Sequence, residues 1–136
     1  MTRFLLLVNY DNGAVEKPML EWDPADLRAH LDYYNTLNAE LTASGELIGG
    51  ERLAWPEASR IVRSDGKAAP VVTDGPYAEA KEQLAGFQMF DVESLDRAIE
   101  IAALLSAVPG PGGVPMRQPI EVRQVMEDDA ELGIEL

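Results

Sequence analysis

An α+β fold, with two helices laid on one face of an antiparallel sheet, is what this sequence predicts. Two segments carry apolar residues at helical spacing, and each stands between short β-prone runs. Glycine and aspartate–glycine breaks separate neighbouring strand candidates. Two of the strands are also apolar on both sides, the pattern of a sheet covered twice.

Phe4 to Tyr10 is the first strand: Phe4, Leu5, Leu6, Leu7 and Val8 leave no alternate positions polar. The loop DNGAVEKPMLEW follows. The first helix opens at Asp23-Pro24. Aspartate suits the N-cap, and proline suits the first helical position, where an amide hydrogen would go unpaired. Leu27, Leu31, Tyr34, Leu37 and Leu41 form its stripe, and Gly45 is its stop in the left-handed conformation. Leu47 to Leu53 is the second strand, weakened or bulged by Gly49 and Gly50.

Arg60–Arg63 and Ala69–Thr73 flank Ser64-Asp65-Gly66-Lys67, a hairpin signal. Ala85–Val92 is apolar on both faces through Phe87, Met89, Phe90 and Val92. Ser94 caps a second helix with the inner stripe Leu95, Ala98, Ile99, Ala102 and Leu105. Ile101 and Leu104 fall on other faces, as scattered surface residues or as a partner contact. Residues 106–119 are a proline- and glycine-rich loop, and Ile120–Val125 alternates as the last strand. The order is the split βαβ, or ferredoxin-like, pattern with an added hairpin, one domain over residues 1–126 with an acidic tail at 127–136.

Two helices cover one face of a sheet. The other face needs a cover too, because a fully buried Leu or Phe is stabilised by roughly 1.5–3 kcal/mol relative to exposure. A second copy of the sheet supplies that cover in a homodimer; the loops at 11–22 and 106–119 are the alternative within one chain.

The charge balance narrows the function classes. The 136 residues carry 24 acids against 11 bases, a net charge of −13 that repels nucleic acid and anionic membranes. The apolar start of the chain is too short for a signal sequence or a membrane span, so a soluble, cytoplasmic protein is expected. The chain has no cysteine and one histidine, which argues against disulfides, a cysteine nucleophile and a zinc site. The acids of the tail lack calcium-loop spacing. Phosphate-cradling glycine loops, dinucleotide fingerprints and serine-hydrolase elbows are missing from the sequence.

His30, on the first helix at the edge of its inner stripe, is either a general base or a buried structural histidine. Asp26, one turn earlier, is within reach to orient it. Asp74, in the run Asp74-Gly75-Pro76-Tyr77, either caps a short helix at Tyr77–Gln83 or stands with Lys81 at the mouth of a cleft lined by Tyr77. Asp91 and Arg123 either pair across the sheet or project into a dimer cavity, where Arg123 would attract an anionic ligand.

The stretch VTDGPYAEAKEQLAGFQMFDVESLDRAIEIA (72–102) resembles the DGPF signature of the YCII-related family, close to DGPFAETKEQLGGF, with Tyr77 for Phe and Ala80 for Thr. LNAELTASGELIGGERLAWP (37–56), SDGKAAPVVTDGP (64–76) and IEVRQVME (120–127) are similar to further family segments, the last with Gln124 for Pro. The resemblance implies a dimeric α/β barrel. It also implies a site in the barrel cleft, built from a histidine that His30 matches and from the motif aspartate, Asp74. It further suggests association with extracytoplasmic-function sigma factors in some relatives. Two function classes follow. One is an enzyme of acid–base chemistry on a small metabolite, with His30 and Asp74 catalytic, Tyr77, Lys81 and Arg123 on the ligand, and no cofactor or metal. The other is a non-catalytic regulatory module, sensitive at Ile101 and Leu104.

Overall fold

A computed structural model describes residues 1–9, 18–75 and 83–128. Strand β1 spans Thr2–Asn9, helix α1 Pro24–Ala43, β2 Leu47–Arg52, β3 Arg60–Arg63, β4 Val71–Asp74, β5 Leu84–Val92, helix α2 Leu95–Ser106 and β6 Ile120–Gln124. The four-stranded sheet has the order β2-β5-β1-β6, and all of its pairings are antiparallel. Each helix links two strands that straddle a third, so the expected ferredoxin-like pattern is present. Strands β3 and β4 form a separate two-stranded sheet.

Alternation along β1 divides the sheet into two faces. Phe4 and Leu6 are buried, and they lie opposite Phe90 and Gln88 of β5. With Val92, they pack under Leu37 and Leu41 of α1 and Ala98, Ile101, Ala102 and Leu105 of α2. The other face carries Leu5 between Met89 and Arg123, and Leu7 between Phe87 and Glu121. All four apolar side chains there are half-buried in the single chain.

Several local expectations are met for the reasons given. Ser94 accepts the Arg97 amide at 3.2 Å and caps α2. Gly45 ends α1 at φ +82°. The bulge falls where the ladder shifts between Leu47 and Gly49, and a Cβ on Gly50 would meet Phe87 O at 2.5 Å. In the hairpin, Asp65 Oδ1 accepts the Lys67 and Ala68 amides, and Gly66 turns at φ +81°.

Other expectations are corrected. Ile101 is fully buried, whereas Leu95 and Ile99 are exposed. At about 100° per residue, Ile101 lies nearer than Ile99 to the line through Ala98, Ala102 and Leu105. Leu31 is likewise exposed, and His30 takes a buried place on α1. Asp23 stands at the N-cap but makes no side-chain capping bond. The 106–119 loop is pinned: Val108 and Met116 are buried beside Trp22, with Met19, Leu27, Tyr33 and Tyr34 around them. That places the loop on the helix layer. Tyr10, the loop at 11–17, the helix expected at Tyr77–Gln83 up to residue 82, and the tail beyond 128 lie outside the described residues.

Candidate functional site

His30 is 4% exposed and is held on three sides. Its Nδ1 lies 3.0 Å from the carbonyl oxygen of Pro109 in the pinned loop. A carbonyl only accepts, so Nδ1 carries the hydrogen and Nε2 is the basic nitrogen of the neutral ring. Trp22 and Tyr34 meet the imidazole edge-on, at centroid distances of 5.3 and 5.1 Å. The oxygen that orients Nδ1 is thus a backbone carbonyl 79 residues away, and not the carboxylate of Asp26.

Burial pulls the His30 pKa below its ordinary value; the Pro109 carbonyl opposes this, and the charge of Arg52 adds to it. Burial also pushes the Tyr34 phenol up to about 12, so it stays a neutral donor. The site therefore offers an uncharged imidazole at neutral pH, the form that can accept a proton.

The surroundings follow from helical and strand spacing. His30, Tyr34 and Asn38 recur every fourth residue on α1 and share a face. Asn38 accepts from Gln88 Nε2 at 3.0 Å, which lays this polar stripe over the β2–β5 corner. Gly50 pairs with Gln88 and Arg52 pairs with Gly86, so Arg52 stands on the same sheet face as Gln88.

The other described sequence candidates make no hydrogen bond or ion pair with this cluster, and the rest lie outside the described residues. Asp74 ends β4 with its side chain 89% exposed, and it faces Arg60 across the hairpin at 3.4 Å. A Cβ on Gly75 would lie 2.5 Å from Ser59 Oγ. Arg123 is on the face opposite α1, exposed, with Glu121 3.7 Å away. Asp91 lies across from Arg3. Tyr77 and Lys81 are among the undescribed residues. Sequence reading passed over Trp22, Asn38, Arg52, Gln88 and Pro109. The spacing of Asn38 to His30 was available as a signal; nothing in the chain announces the Pro109 contact.

Among the described residues, no group of three or more His, Cys, Asp and Glu side chains gathers to hold a metal ion. No helix among them is long and apolar enough to cross a membrane.

The fold and this buried imidazole define a ferredoxin-like α+β domain with a polar corner between its first helix and the sheet. The YCII-related domain matches residues 2–118, and the chain belongs to that family. It is also 50% identical over 75 residues to an uncharacterized protein of Rhizobium meliloti (strain 1021). That match covers 54% of this chain and 60% of the relative, less than two thirds of its length.

Proposed function

We propose that this YCII-related domain binds a small metabolite beside His30 and uses the imidazole as a general base. The observation that carries this reading is the Nδ1–Pro109 hydrogen bond on a buried, neutral ring. Nε2 takes a proton from the bound molecule, and the electron pair of the broken bond stays on that molecule. The imidazolium keeps its Nδ1 hydrogen on Pro109 and returns the other proton to product or water. Asp74, with Tyr77 and Lys81 of the same motif, enters as a ligand-orienting group. Because His30 is the single histidine, a histidine-directed acylating reagent tests it without ambiguity. At pH 7 diethyl pyrocarbonate should add once to the native protein, and the adduct should be missing in His30→Gln. Native protein that resists the reagent until it is unfolded has no reachable base, and the reading fails.

The same proposal includes a homodimer with the sheets face to face. The support is the apolar centre Leu5, Leu7, Phe87 and Met89, edged by Arg3, Asp91, Glu121 and Arg123. With the strands of the two copies reversed, the end bearing Glu121 meets the end that carries the Arg3–Asp91 pair. Arg123 then borders the enclosed space and attracts an anion there. Loop 106–119 is engaged by the Trp22 cluster on the helix layer and does not cover this face.

A further inference from the structure

We infer that the corner between α1 and the β2–β5 edge is a carboxylate site, with Arg52 binding the anion and His30, Tyr34 and Asn38 facing the rest of the ligand. This rests on the reading of His30 as base and narrows its substrate to small organic acids.

The placement follows from chain geometry. Helix α1 ends at Ala43 and β2 begins at Leu47, so the two run back along each other. From Ala43 back to His30 the helix covers about 20 Å at 1.5 Å per residue. From Leu47 to Arg52 the strand covers about 17 Å at 3.3 Å per residue. Arg52 and His30 therefore stand at the same level, at the end of the corner remote from the turn. The electrostatic influence of Arg52 on the imidazole agrees with that placement.

The floor between them is glycine-rich, with the Gln88 side chain bonded to Asn38 at one end. Gly86 pairs with Arg52 and Gly50 pairs with Gln88, so two of the four positions on this patch of sheet carry no side chain. A Cβ on either glycine would approach neighbouring backbone, at 3.0 Å from Glu51 O for Gly86 and 2.5 Å from Phe87 O for Gly50.

Among the described residues, Arg52 has no ion-pair partner. Arg60 faces Asp74, Arg97 holds Glu46 and Glu100, and Arg123 has Glu121 beside it. No such acid stands against Arg52 among the described residues. A guanidinium offers two parallel N–H donors that match a carboxylate. An anion seated there cancels the field that opposes protonation of His30, so binding and proton acceptance support one another.

The test uses benzoate and its neutral isostere benzamide as probes, read from the ring signals of the one histidine in NMR spectra of the full chain. Benzoate should shift those signals saturably. Arg52→Gln should weaken it by about tenfold or more, the loss expected for one charged bidentate contact. Arg52→Lys should fall between the two, and benzamide should bind no better to wild type than benzoate binds to Arg52→Gln. Equal benzoate affinity in wild type and Arg52→Gln, equal binding of benzamide and benzoate, or no response to benzoate overturns the inference. Acylation of His30 in the free protein is read separately. A reactive His30 with no carboxylate preference removes the anion site and keeps the base; an unreactive His30 with Arg52-dependent benzoate binding does the reverse.

Discussion

His30 is the residue where fold and chemistry meet, and its burial has a thermodynamic signature. The folded state holds the imidazole neutral, with its pKa below 6.5, whereas the unfolded chain titrates near 6.5. Below about pH 6.5 the unfolded state binds more protons, so folding loses stability as pH falls from there toward the folded pKa. Above pH 6.5 the contribution is complete. Urea unfolding of wild type and His30→Gln should show it: the wild-type advantage shrinks between pH 6.5 and 5 and is flat from 7 to 8. An advantage that grows on acidification would mean that His30 is held as the imidazolium. The histidine itself was legible, being the single histidine of the chain. Its partner was not, because Pro109 acts through a backbone oxygen, which leaves no trace in residue type. Arg52 was hidden for a related reason: its face depends on a bulge between Leu47 and Gly49 that resets the alternation of β2.

Among the elements, the two helix starts make a controlled comparison. Ser94 accepts an amide and Asp23 does not. Ser94→Ala should therefore cost about 1 kcal/mol, and Asp23→Ala should stay within about 0.5 kcal/mol; chemical denaturation of the two variants resolves the difference. Helix α2 supplies a second contrast. Ile101→Ala opens a cavity in the core and should cost about 2–5 kcal/mol, whereas Leu104→Ala, at a half-exposed position, should change little. Equal losses at 101 and 104 would place both side chains in the core. The elements themselves could be read from pattern, since Pro24, Gly45, the Asp65-Gly66 turn and Ser94 each act within a few residues of their position in sequence. The inner face of α2 could not. Leu95, Ile99 and Ile101 are equally apolar, and only the sheet beneath the helix selects among them.

At the level of the whole molecule, the prediction concerns assembly. Light scattering should give a particle of twice the 14.9 kDa chain mass at micromolar concentration. Leu5→Asp should halve that mass and leave the circular dichroism of the fold in place, because Leu5 sits at the centre of the open face. A wild-type monomer sinks the dimer. The margin of the sheet points to what that assembly excludes. A stray chain trying to lengthen the sheet along β2 would find its hydrogen-bond ladder thrown out of step where the pairing slips between Leu47 and Gly49. Growth sideways into ribbons is blocked at that border, so crowding this protein should yield closed pairs and not fibrils.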